Sequence, residues 1–345
     1  MPSRLLCILL SLVVSGVAGG CDEPRPLRPD GQPAELRLGY FANLTHAQAL
    51  LGVHDGTFAA AVAPTALRTR VFNAGPAVIE ALFAGEVDLA YIGPGPAING
   101  FVRSRGQEIV VVAGAAANGV VVVARKGSGI RTLDDLAGKR LATPQLGNTQ
   151  DLSARHFTAD QQGRTPPTIL PVANAEQLAM MARGQIDAAW SPEPWASRLV
   201  LETGAIVVAE EKDLWPNRQF TLSLVITTPR FLREHPQAVE RFLAAHVALT
   251  DRLQQPGEGD LEQLNAALES LAGKRLPDPV LRSAIGRITF TTEPLRTSLE
   301  SFAEWTMATG HGMGPADLSR LISLETLHRV QRASDTNAPP EGATR

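Results

Sequence analysis

Four short stretches of this chain gather residue types that can hold a small polar molecule. Phe41-Ala-Asn43-Leu-Thr45-His46 brings together a carboxamide, a hydroxyl and an imidazole. Tyr91-Ile-Gly93-Pro-Gly95-Pro96 combines a phenol with glycines, whose missing side chains let backbone approach a ligand closely. Pro144-Gln145-Leu-Gly147-Asn148-Thr149-Gln150 repeats the theme of glycine and small polar residues opening a helix, and Ser191-Pro-Glu193-Pro-Trp195 sets a carboxylate near an indole. Free N–H groups at a helix start, with amides and hydroxyls beside them, suit an acceptor-rich solute. Each residue also has a plain structural use. Asn43, Thr45, Asn148 and Thr149 are common helix caps. Gly93 and Gly95 suit a tight turn, and Trp195 suits either a core or a ligand stack.

The remaining chemistry is narrow. Cys7 and Cys21 are the two cysteines, so the chain beyond residue 21 has no thiol nucleophile, no disulfide and no cysteine metal site. It contains no Gly-x-Ser-x-Gly elbow and no Walker loop. His46 and His54, eight apart with Asp55 adjacent, do not form a metal-binding pattern. The expectation is a binding protein, not an enzyme, with neither metal nor cofactor.

Positioning those loops requires strands that end where they begin. Leu36–Tyr40, Leu67–Phe72, Asp88–Ile92, Ile109–Ala113, Val120–Ala124, Arg140–Thr143, Thr168–Val172 and Asp187–Trp190 read as strands. Helices are expected at Ala47–Ala61, Pro76–Ala84, Ala97–Arg103, near Leu133, from about Asp151 and over Ala175–Arg183. After about Val225 the pattern is helical, through Phe231–Leu253, Leu261–Leu271, Val280–Ile288 and Leu295–Thr309, and 331–345 reads as a disordered tail. Such alternation argues for α/β architecture with mainly parallel sheets, whose ligands sit beyond the carboxyl ends of the strands. Gly85-Glu-Val-Asp88-Leu-Ala90 recurs as Gly184-Gln-Ile-Asp187-Ala-Ala189, 99 residues on, and Val71–Gly75 matches Leu170–Asn174 at the same offset. The echo points to two similar α/β lobes.

Arg4, an apolar run from Leu5 to Val17 and the small residues Ala18-Gly19-Gly20 form a secretory signal over 1–20. It ends on Cys21 in the manner of a lipoprotein box, with Ala18 where leucine is usual. Prolines at 24, 26, 29 and 33 make 21–35 a semi-extended linker from a lipid anchor. The 345 residues carry a formal charge of -3, and loss of residues 1–20 leaves 31 bases against 35 acids, which offers no footprint for nucleic acid.

Taken together, Gly39–His46, Phe72–Pro76 with Glu80-Ala-Leu82, Tyr91–Ile98, Ala142–Gln150 and Trp190–Arg198 resemble the solute-binding proteins of nitrate, sulfonate and taurine-type ABC importers. The resemblance implies a type II periplasmic-binding-protein fold, two lobes joined by a two-stranded hinge: lobe 1 at 36–117 plus 223–330, lobe 2 at 118–222. It adds Gly75 to the expected ligand set of Asn43, Thr45, His46, Tyr91, Gly93, Gly95, Gln145, Asn148, Thr149, Glu193 and Trp195. It implies a monomer, lipid-anchored outside the cytoplasm and facing the periplasm or cell exterior, with a permease and its ATPase as partners. The expected cleft loops hold no arginine or lysine, and Glu193 is acidic. Three readings of Glu193 stay open: contact with a ligand amine, a structural pair with a base such as Arg198, or a pyrimidine site (as in thiamin-precursor binders) where Tyr91 and Trp195 stack. A ligand-sensing module for a receptor is the remaining alternative.

Overall fold

The computed structural model describes residues 26–159, 163–308 and 317–337. The chain lays down β1 (Glu35–Phe41), α1 (Ala47–His54), α2 (Thr57–Val62), β2 (Ala66–Phe72), α3 (Gly75–Phe83), β3 (Leu89–Ile92), α4 (Pro94–Arg103) and β4 (Val110–Asn118). A second half follows with β5 (Val120–Ala124), β6 (Arg140–Thr143), α5 (Thr149–Phe157), β7 (Thr168–Pro171), α6 (Asn174–Ala182), β8 (Ala188–Pro192), α7 (Trp195–Thr203) and β9 (Ile206–Glu210). The return brings β10 (Thr221–Thr227), α8 (Pro229–Glu234), α9 (Pro236–Gln254), α10 (Glu258–Ala272), α11 (Asp278–Ile285), β11 (Ile288–Phe290), α12 (Arg296–Ala308) and α13 (Glu325–Asn337).

Two sheets result, ordered β11-β4-β10-β3-β1-β2 and β7-β6-β8-β5-β9. They share a plan. β2, β1 and β3 are parallel and meet antiparallel β10, just as β7, β6 and β8 are parallel and meet antiparallel β5. In each sheet the antiparallel strand is the one that has just arrived from the other half. The first crossing turns at Asn118 and Gly119, both with positive φ (63° and 77°), a conformation natural to these two residue types. Residues 211–220 make the second crossing.

The 99-residue echo has a physical basis in a buried pin. Asp88 accepts from the Arg37 backbone N–H (2.8 Å) and from its guanidinium (3.0 and 3.2 Å), tying β3 to β1. Asp187 does the same with Arg140, accepting from the backbone N–H at 3.1 Å and the guanidinium at 2.9 Å, and so ties β8 to β6. Bonds from the Arg140 side chain hold the Asp187 carboxyl well below the usual carboxylate range.

Period-two alternation sorts the strands between cores. Leu89 and Tyr91 of β3 face a core formed with α1, α2, α9, α10 and α13, whereas Ala90 and Ile92 face a second that runs through Trp190, Trp215, Phe302 and Trp305 across both halves. In the first core Tyr91 donates to His246 Nδ1 (2.8 Å), and His246 Nε2–H donates to Gly114 O (2.8 Å).

Several expectations need correction. The Ala47–Ala61 helix breaks at Gly56, whose φ of 80° cannot continue it, and Phe231–Leu253 breaks before Pro236, which lacks the N–H. β9, β10 and β11 are strands that the sequence pattern did not reveal, and β11 takes over the end of the expected Val280–Ile288 helix. The described part of the proline-rich segment is no extended spacer. Residues 26–34 fold back on themselves (Arg28 N to Gln32 O, 2.8 Å; Ala34 N to Pro26 O, 2.9 Å) and Thr65 ties Pro33 to the body. Nor is 331–337 a disordered tail: α13 runs to Asn337 because Leu327 and Val330 are buried in the first core. The signal segment, Cys21 and residues 338–345 lie outside the described residues. Among those described, no helix is long and apolar enough to cross a membrane.

Breaking a buried pin should be costly. Asp88→Ala is expected to lose about 3 kcal/mol of stability in urea denaturation. Asp187→Ala should lose less, because its side chain is 15% exposed against 0% for Asp88. Buried neutral groups also give stability a pH dependence. Burial lowers His46 to about 3 and His246 to about 4, from 6.5, so the unfolded chain takes up these protons first. Their contribution is complete above pH 6.5 and is lost on acidification at about 1.4 kcal/mol per pH unit each. Glu211, raised by burial from 4.5 to about 7, acts oppositely: its contribution is present below 4.5 and lost as pH rises to 7. Between pH 6.5 and 4.5 these three groups together contribute a loss of about 1.4 kcal/mol per pH unit on acidification, and replacing His46 and His246 with glutamine should flatten the urea midpoint across that window relative to the parent protein.

Candidate functional site

The carboxyl ends of the parallel strands of both sheets meet at one cavity, as expected of α/β sheets. Phe41 closes β1 and leads into Asn43, Thr45 and His46; Asn73, Ala74 and Gly75 follow β2; Gly93 follows β3. From the second sheet come Pro144 after β6, Asn174 after β7 and Pro192 at the end of β8, with Asn148, Thr149 and Gln150 opening α5. Pro96 of α4 and Leu222 and Ser223 of β10 complete the wall. The space open to the centre of a water-sized sphere is about 40 Å³, room for about three waters or one compact ion.

Helices α3, α4, α5 and α6 all start here, through Gly75, Gly93, Asn148 and Asn174. They differ in what they offer. α4 begins Pro94-Gly95-Pro96, so two of its first three residues have no N–H, and Gly95 donates to Thr149 Oγ1 across the cleft at 3.3 Å. That helix start holds the two halves together. At Gly75, Thr149, Gln150 and Asn174 the backbone N–H groups have no partner among the described residues, and these can receive an acceptor.

His46 is 2% exposed and stacks on Phe41 (ring centroids 4.4 Å apart). The Phe41 N–H donates to its Nδ1 at 3.1 Å, which puts the ring hydrogen on Nε2. Burial holds the ring neutral, at about 3. Asn148 Oδ1 caps α5 by accepting from Asp151 N–H (2.9 Å), and its Nδ2 donates to Gln150 Oε1 (3.1 Å). Gly93 lies so near Thr149 that a Cβ there would stand 2.3 Å from Oγ1; at Gly75 it would stand 2.2 Å from Pro96 Cγ. Both glycines are needed for close packing.

Of the expected residues, Asn43, Thr45, His46, Gly75, Gly93, Asn148 and Thr149 thus come together at the cavity wall. The others stand elsewhere. Tyr91 points into the first core toward His246. Gly95 is a lobe-to-lobe contact behind the wall. Gln145 supports the loop, its carbonyl accepting from Asn148 N–H (3.2 Å). Trp195 donates from Nε1 to Asn43 Oδ1 (2.9 Å), a bond between the halves, while the Arg198 guanidinium lies 4.9 Å from its ring centroid. Glu193 is fully buried. It accepts from Ser197 N–H (3.0 Å) and Oγ (2.9 Å) and pairs with Arg287 (3.2 Å). Burial raises its carboxyl, opposed by Ser197 and Arg287. The structural reading of Glu193 therefore holds with a different partner, since Arg198 pairs with Glu202 (2.7 Å).

Other wall residues were not among those expected. Asn174 occupies in α6 the place that Gly75 has in α3, and the 99-residue echo aligned the two. Ser223 gave a weaker signal, lying in the short alternation Thr221-Leu-Ser-Leu of an unread strand. It is 1% exposed, its Oγ has no partner, and the β10–β4 register shifts on both sides of it. Bulges of this kind re-aim side chains beside binding sites.

Comparison with known proteins agrees with this architecture. A protein of Brucella abortus (strain 2308), named as a candidate binding protein, is 28% identical over 178 residues, 51% of this chain and 54% of its own length. The taurine-binding periplasmic protein of Escherichia coli (strain K12) is 26% identical over 194 residues, covering 54% of this chain and 57% of that protein. The chain thus aligns with little more than half the length of these relatives. The alkanesulfonate-binding protein SsuA from Xanthomonas axonopodis pv. citri, solved with MOPS bound, shares the fold with a TM-score of 0.71 at 22% identity, over 85% of this chain and 99% of that one. The model of the NMT1-like family matches residues 30–263, most of the two sheets and the whole cavity wall, and the chain belongs to that family.

Proposed function

We propose that the protein is the exported solute-binding component of an ABC importer, which captures a small oxyanion such as a sulfonate or nitrate between two lobes and delivers it to a permease driven by its ATPase. The single observation behind this reading is the convergence of unpaired helix-start amides from both halves on one cavity without a lysine or arginine in its wall. Such amides hold an anion by hydrogen bonding and by the positive ends of helix dipoles. The lobes, 36–117 with 223–330 and 118–222, close about the crossings at 118–119 and 211–220, and closure removes the ligand from water. Hydrogen bonds inside are then stronger, and ligand shifts the population toward the closed form. Function is binding without catalysis. The protein works as a monomer, held through Cys21 to a membrane and facing the periplasm or cell exterior.

The pyrimidine alternative loses its main support, because neither Tyr91 nor Trp195 lines the cavity. No observation favours the sensing alternative.

Thermal-shift screening of the mature protein tests the ligand class. Alkanesulfonates or nitrate should raise Tm; a shift with pyrimidines alone would sink the oxyanion reading. Ser223→Ala should leave the ligand-free Tm unchanged, since its Oγ has no protein partner to lose, and weaken oxyanion binding by roughly five-fold, the worth of one hydrogen bond. Unchanged affinity would remove Ser223 from the site. Cys21→Ser is expected to release the exported protein from membranes with binding intact, and retention in the membrane fraction would count against the anchor.

A further inference from the structure

The polarity of the cleft wall is fixed from behind. Indole and backbone N–H groups only donate, so any amide or imidazole bonded to them must turn an acceptor their way. Trp195 Nε1–H therefore takes Asn43 Oδ1 (2.9 Å) and leaves Nδ2 as that amide's other end. Asp151 N–H takes Asn148 Oδ1 (2.9 Å); Asn148 Nδ2 in turn takes Gln150 Oε1 (3.1 Å), and Nε2 is left as the remaining polar end of Gln150. Phe41 N–H takes His46 Nδ1 (3.1 Å) and leaves the hydrogen on Nε2. Three amide oxygens and one ring nitrogen are thus turned toward protein donors, and the remaining polar end of each of these groups but Asn148 is an N–H. Asn174 differs, because its Oδ1 is buried without a partner and no donor behind it fixes the amide.

No carboxylate offsets this. Among the described residues the cavity wall contains no aspartate or glutamate, and neighbouring Glu193 is turned away to Ser197 and Arg287. Resting on the reading that the cleft holds a small anion, we propose that it takes compact oxyanions carrying no ammonium group and rejects their zwitterionic amino analogues. An ammonium enclosed there meets mainly N–H ends, with the Asn174 oxygen and the wall hydroxyls as its neutral acceptors and no counter-charge, and an unpaired buried ion is strongly disfavoured.

Two isosteric pairs test this by calorimetric titration of the mature protein at pH 7: propane-1-sulfonate against taurine, and butane-1-sulfonate against 3-aminopropanesulfonate. Each plain sulfonate should bind roughly 100-fold more tightly than its amino analogue. Equal or tighter binding of the amino compounds overturns the inference and leaves the importer reading standing. Failure of all four compounds to bind overturns the anion reading and the inference with it. Asn43→Asp and Gln150→Glu each keep the oxygen that accepts from the protein and exchange the ligand-facing NH2 for an anionic oxygen. Both should weaken the plain sulfonates and narrow the gap by roughly ten-fold or more, with folding checked by the ligand-free Tm. Unchanged selectivity in both variants overturns the assignment of these amides as ligand-facing donors.

Discussion

An N–H in the first turn of a helix has no acceptor within that helix, and the fold directs several such groups into one small space. β-Strands that run parallel end on the same edge of their sheet, so the helices that follow β2, β3, β6 and β7 begin side by side. Two sheets of the same plan bring the two groups of helix starts to one cavity. The prolines of α4 withdraw one helix from this role, and Gly95 turns its remaining amide to Thr149 across the cleft. What is left at Gly75, Thr149, Gln150 and Asn174 is a set of donors whose own fold cannot satisfy them.

Away from the cavity wall, the halves are joined by groups of a different character. Arg287, which follows α11, reaches Glu193 (3.2 Å) and Glu210 (3.3 Å) of the second half. The pairing keeps an acid at the mouth of α7 without leaving an uncompensated charge in the interior. At the second crossing Trp215 packs against Phe220, Phe302 and Trp305. Glu211 accepts from Trp190 Nε1, Trp215 Nε1 and Ser153 Oγ beneath it. This is a carboxyl held by neutral donors alone, and its raised pKa is the consequence. His156 and Phe157 of α5 also pack on Trp305, which joins α12 of the first half to the helix of the second whose other end lines the cavity.

Much of the α/β plan was legible because it depends on local pattern: β-branched runs such as Val120–Ala124, glycine at helix ends, and the repeated Gly-x-x-Asp step. The loops after strands were legible for the same reason, since topology alone puts them on the ligand side. Partners remote in sequence were not. Nothing near Glu193 announces Arg287, 94 residues away, and nothing near Tyr91 announces His246. A strand of alternating faces offers two orientations for its tyrosine, and only the packing of α9 decides between them. β10 escaped notice because an arriving crossover strand is buried on both faces, and its brief alternation gives way at once to the apolar run Leu224-Val-Ile226.

The likeness of the two halves makes their differences informative. Asp88 with Arg37 and Asp187 with Arg140 are the same device, and symmetry there serves only to hold strands. At the cleft the symmetry fails: Gly75 in one half corresponds to Asn174 in the other, one removing a side chain and the other supplying an amide. Gly75 must be bare because Pro96 presses on it (2.2 Å from an added Cβ), so on that side the polar work falls to backbone N–H and to Asn43, Thr45 and His46. The second half supplies Asn148, Thr149 and Gln150 on a single helix start. A ligand that touches both sets bridges surfaces of unlike construction but like polarity. Its charge is what both can satisfy together, and neither has a cation with which to hold it alone.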